Sequence, residues 1–324
     1  MNWFKYRLPG AHDFIIGASR TLINGFGKGF VVAPFYNPAE GMMTIPLDFL
    51  PDDRIMEPVA SVLPESTTKE SHAIEIDSII KSLNGERGKT VAARALCFDY
   101  KIDINATFHS LCNAYPYAFV FAFSTEATGT WIGASPELLL KIEDPCVSTM
   151  SLAGTRPSDQ TGEWDEKNID EQKMVTEFIC KNLEKKCTDV TTENTYTRNA
   201  GAICHICTPI SAKLSSGDEC SIMDILTLLS PTPAVCGSDR DTSLKLIKEY
   251  EGFDRHLYGG FCGPNDINGV KSFYVILRTA KCNPAKTCVF AGGGITPLSD
   301  HEQEWNETES KLKTIIKHLK SKEK

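Results

Sequence analysis

The feature that most constrains the fold of this chain is a run of apolar residues at Tyr117–Phe123. Successive side chains of a β-strand point to opposite faces of its sheet, so a strand this apolar must be covered on both faces. Shorter strands are expected at Thr130–Ile132 and Leu138–Ile142, on either side of the turn-like residues 133–136. The centre of the chain therefore predicts a buried sheet with material packed on both sides.

Helical and extended segments come in groups along the rest of the chain. Apolar residues recur at helical spacing in 74–83, 165–186, 222–229 and 301–319, and extended segments are predicted at 89–96, 272–280 and 287–291. Strands that come in groups, with helices between the groups, favour largely antiparallel sheets over a doubly wound parallel sheet. We therefore expect a mixed α+β fold.

Composition argues against several classes of protein. The 324 residues are 41% hydrophobic and 23% charged, as in an ordinary globular protein, and the net charge is −8. This charge argues against nucleic acid as the main partner, because phosphate recognition needs a basic face. The first residues lack the pattern of a signal peptide, and no apolar run approaches the roughly 20 residues that span a bilayer. We expect a cytoplasmic protein with no membrane partner.

The 12 cysteines of the chain are irregularly spaced. Cys204 and Cys207 form the one close pair, and a zinc site would need a second pair at matching spacing, which the sequence lacks. Reduced, mostly buried thiols are therefore expected, as is usual in the cytoplasm.

Three ionisable residues lie at positions where burial would change their pKa or require a partner of opposite charge. Lys89 shares a predicted strand face with small apolar residues, and loss of water there would lower the pKa of its ammonium and make it a usable base. A lysine at a strand end can equally extend to solvent. Glu137 begins a predicted strand and is either a buried acid or a loop charge. Glu171 lies on the apolar stripe of its helix, where a carboxylate needs either a bound cation or a salt bridge.

Further polar residues lie in the last third of the chain. Glu304, Glu307 and Lys311 lie at positions i, i+3 and i+7 of the last predicted helix, as in a surface ion pair. Arg278 is isolated in a predicted strand, and the glycines at 292–294 either make a turn or let a ligand approach the backbone. Helix carboxylates, lysines and this arginine suggest a site for magnesium and a dianion, if they converge.

Read together, these segments resemble the chorismate-utilising enzymes, and isochorismate synthases in particular. The resemblance covers about residues 85–320, and the matching stretches occur in the order of the family. They are Gly88–Arg94, Gly133–Leu139, Leu152–Arg156, the helix of Glu171, His205–Thr208, Pro231–Gly237, Phe253–Gly260, Arg278–Lys281, Ala291–Ile295, and Glu304–Thr308 with Lys311. The resemblance implies a β-sandwich core of two largely antiparallel sheets wrapped by helices. Residues 81–324 would form the chorismate-binding catalytic domain, and the weakly matched segment 1–80 would pack on the same unit.

The resemblance also implies a magnesium-dependent reaction, in which water adds at C2 of chorismate while the C4 hydroxyl leaves. Lys89 would then be the general base that activates the water, and Glu137 the general acid that protonates the departing hydroxyl. Glu171 and Glu307 would help to hold Mg²⁺ against the ring carboxylate, which Lys311 would also contact.

The remaining site residues follow from the same resemblance. Arg278, with Tyr258, would bind the enolpyruvyl carboxylate, because a planar guanidinium suits a planar anion. His205 would lie near the ring. Backbone contacts of three small residues would shape the pocket: Gly154, Ala234 and Gly292. Members of the family often carry an acid three positions before the Glu171 equivalent, where this chain has Asn168, so the second carboxylate of the metal shell stays open.

The same residues distinguish isochorismate synthesis from the reactions of related enzymes. Anthranilate synthases lack the lysine at the Lys89 position, and aminodeoxychorismate synthases typically carry a lysine where this chain has Ala153. Salicylate synthases share Lys89 and Glu137 and go on to eliminate pyruvate, so they remain the alternative. A non-catalytic chorismate-binding regulator is disfavoured because both residues are retained. We expect a monomer, and the sequence leaves open whether its product serves menaquinone or siderophore biosynthesis.

Overall fold

The computed structural model describes residues 1–52, 56–85, 88–201, 203–215 and 222–322 of the chain. Its strands, in chain order, are β1 (Asn2–Arg7), β2 (Ile15–Ser19), β3 (Ile23–Asn24), β4 (Gly29–Ala33), β5 (Met43–Ile45), β6 (Thr90–Phe98), β7 (Phe119–Thr125), β8 (Gly129–Ser135), β9 (Leu138–Glu143), β10 (Cys146–Pro157), β11 (Cys187–Thr192), β12 (Tyr196–Ala200), β13 (Ile203–Leu214), β14 (Phe261–Ile267), β15 (Val270–Val275), β16 (Thr279–Cys282) and β17 (Thr287–Ile295). Its helices are α1 (Pro38–Gly41), α2 (Lys69–Leu83), α3 (Ile104–Ala114), α4 (Glu166–Leu183), α5 (Ile222–Leu229), α6 (Arg240–Tyr250) and α7 (His301–Ile316). None of these helices is long and apolar enough to cross a membrane.

The strands form two sheets, a seven-stranded sheet with the order β2-β1-β7-β8-β16-β17-β6 and a ten-stranded sheet. The path of the ten-stranded sheet is β11-β13-β10-β9-β15-β14-β4-β5-β3, with β12 also paired to β13. The strand pairs within both sheets are antiparallel. The predicted α+β class with two antiparallel sheets is therefore confirmed.

Strand β7 shows how the apolar run determines the packing. Phe119, Phe121 and Phe123 face the core between the two sheets, where residues of β4, β14 and β15 meet them. Val120 and Ala122 face the opposite side of the sheet, which is covered by α3 and α7. All five side chains are fully buried, so the prediction of a strand covered on both faces is confirmed.

The other outer face of the sandwich is covered in the same way. The apolar residues of α4, α5 and α6 pack with those of β9, β10 and β13 on the ten-stranded sheet. Residues 1–80 contribute to both sheets, since β1 pairs with β7 and β4 pairs with β14. The segment that matched the family weakly thus supplies strands to both sheets.

Two sequence predictions are wrong. Residues 272–280 were expected to form one strand, but β15 belongs to the ten-stranded sheet and β16 to the seven-stranded sheet, so the chain crosses between the sheets. Arg278 lies in this crossing and has a left-handed φ of 45°. The cysteines were expected to be reduced and mostly buried, which is wrong for one pair: Cys97 of β6 and Cys288 of β17 are directly opposite each other and form a disulfide. A separation of 191 residues hid this pairing from the sequence. The other described cysteines are free, and most of them are buried.

Candidate active site

A cleft between the two sheets collects the predicted site residues. Its walls enclose about 750 Å³ of space, the open solvent at its mouth included. The predicted residues that line it are Glu137, Gly154, Glu171, His205, Ala234, Tyr258, Arg278, Gly292, Glu307 and Lys311. Lys89 lies directly behind this lining and contacts Glu171. Strands of both sheets and the two helices α4 and α7 therefore bring distant segments of the chain to one place.

The ammonium of Lys89 is buried and forms an ion pair with a partly exposed carboxylate of the cleft. The side chain is 0% exposed at the start of β6, and Nζ donates to Oε1 of Glu171 over 2.6 Å. Burial alone would raise the pKa of Glu171, but the charges of Lys89, Lys311 and Lys167 and the bond from Lys89 outweigh burial and lower it. The carboxylate on the apolar stripe of α4 thus has the salt-bridge partner that the sequence left open.

Glu137 is a buried carboxyl group. Its residue is 2% exposed, and its backbone carbonyl accepts the N–H of Val275 over 3.1 Å at the start of β9. Burial raises the pKa of Glu137 to about 7, although a hydrogen bond from Thr232 and the charge of Lys89 act to lower it. A carboxyl group that keeps its proton near neutral pH can serve as a general acid.

Arg278 and His205 are joined in one hydrogen-bonded chain. Nη1 of Arg278 donates to the carbonyl of Ala200 over 2.8 Å, and Nη2 lies 2.7 Å from Nε2 of His205. Nδ1 of His205 lies 2.8 Å from the carbonyl of Gly154. A guanidinium only donates and a carbonyl only accepts, so His205 is neutral with its proton on Nδ1. Burial and the charge of Arg278 lower the pKa of His205 to about 3, in agreement with this form.

The guanidinium of Arg278 has no counter-ion in the parts of the chain that the structure describes. It is 9% exposed, and no described carboxylate lies within 4.0 Å of it. Burial lowers the pKa of Arg278 to about 10. Two of the five N–H groups of a guanidinium are used by Ala200 and His205, which leaves donors for an anion in the cleft. A buried cation without a partner is costly, so this cleft is suited to a negatively charged ligand.

Three carboxylates of α4 and α7 surround the glycines of β17. A Cβ atom at Gly294 would lie 3.0 Å from Oε1 of Glu171, and one at Gly293 would lie 3.0 Å from Oε2 of Glu304 and 3.9 Å from Oε1 of Glu307. Any larger residue at these positions would press on the carboxylates. The glycines thus let β17 approach the acidic side chains closely.

These carboxylates are the candidate ligands of the predicted magnesium ion. Oε2 of the buried Glu304 has no hydrogen-bond partner among the described residues, and burial raises the pKa of that residue. Glu307 is paired with Lys311 over 2.7 Å, as Glu171 is with Lys89. Within the described ranges no three acidic, histidine or cysteine side chains converge on one point. The donor set is nevertheless the oxygen-rich, carboxylate type that Mg²⁺ prefers, so the residues fit the ion.

Asn168 has a structural role at this site. Its Oδ1 accepts the N–H of Thr155 over 3.1 Å, and its Nδ2 donates to both carboxylate oxygens of Asp165, the N-cap of α4. A Cβ atom at Gly154, where φ is +67°, would lie 2.9 Å from this Oδ1. Asn168 therefore ties the start of α4 to the bend of β10 and explains the glycine at 154.

Sequence reasoning did not assign two residues that the structure brings to the site. Thr232 donates to Oε1 of Glu137 over 3.1 Å, and Glu304, which had been weighed as part of a surface ion pair, is 3% exposed. Thr232 lies within a stretch that carried the family resemblance, but its side chain gave no separate signal. The position of Glu304 three residues before Glu307 did place both carboxylates on one helix face.

Sequence comparisons relate this chain to known proteins. The family model described as chorismate binding enzyme matches residues 53–320. Isochorismate synthase EntC of Escherichia coli is 29% identical over 267 residues, covering 78% of this chain and 67% of that protein. Isochorismate synthase MenF of Escherichia coli is 32% identical over 276 residues, covering 78% of this chain and 63% of that protein. The chain thus spans about two thirds of the length of these relatives.

A solved structure gives the same fold. The structure of MenF, the menaquinone-specific isochorismate synthase from Escherichia coli, superposes with a TM-score of 0.82 at 22% sequence identity. The match covers 99% of this chain and 89% of that one. The β-sandwich wrapped by helices that the resemblance implied is therefore confirmed.

Proposed function

We propose that this chain, which belongs to the chorismate-binding enzyme family, converts chorismate to isochorismate. The observation that carries the proposal is the meeting, in one cleft, of a buried acid and a buried cation that has no counter-ion among the described residues. Glu137 supplies the acid and Arg278 the cation, and the Lys89–Glu171 pair lies beside them. Chorismate is a dianion that must lose a hydroxyl group, so it needs both kinds of group. The relatives named above carry the same activity in their names.

In this proposal the cationic side chains bind and orient the substrate. The N–H groups of Arg278 that neither Ala200 nor His205 uses bind the enolpyruvyl carboxylate, and Tyr258 lines the same cleft. Lys311, which lies on α7, binds the ring carboxylate. His205 holds Arg278 through Nε2, and its neutral form adds no second positive charge. Gly154, Ala234 and Gly292 leave room for the ring because they are small.

Lys89 and Glu137 carry the proton transfers. A neutral Lys89 takes a proton from water as its oxygen bonds to C2, the ring double bonds shift, and the bond from C4 to its hydroxyl breaks. Glu137 gives its proton to that hydroxyl, which leaves as water, so one water is consumed and one is released. Nζ of Lys89 is paired with Glu171, so base catalysis requires this pair to separate. Each of the two roles is typically worth ~10²–10⁴ in rate.

Glu171 and Glu307 would hold Mg²⁺. Oε2 of Glu304, which has no hydrogen-bond partner among the described residues, lies near the same glycines of β17. When bound, the ion would neutralise the ring carboxylate of chorismate and fix its orientation. We further propose that the protein acts as a cytoplasmic monomer and that its product enters menaquinone or siderophore biosynthesis. Light scattering of the purified protein tests the monomer.

Incubation of the purified protein with chorismate and Mg²⁺, followed by product identification by chromatography and NMR, tests the activity. We expect isochorismate, and the same equilibrium mixture when isochorismate is supplied instead. The matched control is Glu137→Gln, which keeps the size of the side chain but has no proton to give. Salicylate and pyruvate as the main products would replace the proposal by salicylate synthesis, and unchanged chorismate would refute it.

A further inference from the structure

The carboxyl group of Glu137 accepts a hydrogen bond from a hydroxyl group on a loop flanked by prolines. Oγ1 of Thr232 donates to Oε1 of Glu137 over 3.1 Å, and both residues are 2% exposed. Thr232 follows Pro231 and precedes Pro233. Proline fixes its own φ and restricts the residue before it to extended conformations, so the backbone of Thr232 has little freedom.

Further contacts fix the loop from its other side. The N–H groups of Val235 and Cys236 both donate to the carbonyl of Thr232, over 3.1 and 2.9 Å. The carbonyl of Val235 accepts Nη1 of Arg255 over 2.6 Å. Arg255 is fully buried and forms a two-fold hydrogen-bonded ion pair with Glu251, at 2.7 and 2.6 Å. The backbone of the loop that carries Thr232 is therefore held by a buried ion pair.

We propose that Thr232 is a positioning residue that directs the transferable proton of Glu137 to Oε2. Its hydroxyl has a single hydrogen, and Glu137 is the acceptor found for it among the described residues. Oε1 then acts as the acceptor oxygen of the carboxyl group, which leaves Oε2 to carry the proton. Glu137 lines the cleft, so the proton that Thr232 directs to Oε2 belongs to an acid within the cleft.

The charges around Glu137 support a specific effect of Thr232 on its titration. Lys89 is the charged group that acts on Glu137, and the charged or titratable groups of the same cleft are Glu171, His205, Tyr258, Arg278, Glu307 and Lys311. Thr232→Val keeps all of them and the shape of the side chain, and removes the hydrogen bond alone. A hydrogen bond is stronger to a carboxylate than to a neutral carboxyl group. Its loss should therefore raise the pKa of Glu137 by about one unit.

Infrared spectroscopy tests this effect without any substrate. The band of the protonated carboxyl group that Glu137→Gln removes belongs to Glu137, and its intensity is followed from pH 5 to pH 9. We expect Thr232→Val to raise the pH midpoint of this band by about one unit and Thr232→Ser to leave it at the wild-type value. An unchanged midpoint in Thr232→Val, in a protein that unfolds at the same urea concentration as the wild type, overturns the proposal.

Kinetics give a second readout, which rests on the proposed isochorismate synthesis. Thr232→Val should lower kcat about tenfold and leave KM within about twofold. The decrease of kcat at alkaline pH should move to higher pH by about one unit. Thr232→Ser should restore all three values. A loss of affinity with an unchanged pH profile would reduce Thr232 to a structural residue. If the wild type does not turn over chorismate, the proposed function fails, while the infrared midpoint still decides the role of Thr232.

Discussion

Replacement of Arg278 by methionine tests whether the cleft is built for an anion. Burial lowers the pKa of Arg278 from its ordinary value to about 10. One pKa unit is about 1.4 kcal/mol, so the charged form is destabilised by about 3 kcal/mol. A base whose pKa is lower in the folded state than in the unfolded state destabilises the fold at every pH below its folded pKa. The cost is therefore fully present at pH 7.

Loss of the guanidinium also removes two hydrogen bonds. The carbonyl of Ala200 and Nε2 of His205 would lose their donor, at about 1 kcal/mol each. Removal of the charge gains about 3 kcal/mol and loss of the two hydrogen bonds costs about 2 kcal/mol, so the variant should be about 1 kcal/mol more stable. We therefore expect Arg278→Met to unfold with a free energy equal to that of the wild type or about 1 kcal/mol higher. Affinity for chorismate should fall about 100-fold or more, since hydrogen bonds to charged groups contribute about 1.5–3 kcal/mol each.

Two measurements at pH 7 decide the matter, urea unfolding followed by tryptophan fluorescence and titration calorimetry with chorismate and Mg²⁺. Arg278→Lys is the matched control, because it keeps the charge but has no planar fork. It should be no more stable than the wild type and should still bind chorismate poorly. A loss of more than about 2 kcal/mol of stability in Arg278→Met, or normal binding, would show that the guanidinium is a structural element and not an anion site.

The other predictions concern catalysis and the metal. Lys89→Ala and Glu137→Gln should each lower kcat by ~10²–10⁴ with KM nearly unchanged, and the double variant should be little worse; multiplicative losses would show independent roles. The kcat of the wild type should fall as the pH rises through about 7, because burial raises the pKa of Glu137 to that value and the acid must keep its proton. EDTA should abolish turnover and Mg²⁺ restore it. Glu171→Gln and Glu307→Gln should each require more Mg²⁺, and full activity without added metal would remove that residue from the metal shell.

Local patterns predicted the parts of the fold that depend on neighbours in the sequence. The apolar run at Tyr117–Phe123 predicted an inner strand of the seven-stranded sheet, although the strand itself is Phe119–Thr125 and Tyr117 is exposed. The position of Glu171 on the apolar stripe of its helix predicted a carboxylate in need of a cation or a salt bridge, and Lys89 supplies the salt bridge. In each case the spacing of apolar residues along one strand or helix was enough for the prediction.

What the sequence did not show depends on contacts between distant segments. The crossing at Arg278 breaks a continuous apolar stretch because the two halves pair with strands of different sheets, β9 and β8. Nothing in the local pattern separates the halves. The bond from Thr232 to Glu137 likewise joins residues that are 95 positions apart. Such contacts follow from the sheet order and not from periodicity.

The place of β17 in its sheet has a consequence for the synthesis of the protein. This strand pairs with β16 on one side and β6 on the other, and β6 is the end strand of the described sheet. A ribosome that has not yet released residues 287–295 therefore holds a chain in which β6 and the adjacent Lys89 have no sheet to join. Helix α7, with Glu307 and Lys311, emerges later still. Nascent chains that stall in this interval would expose two open strand edges, where chaperone binding or aggregation competes with folding.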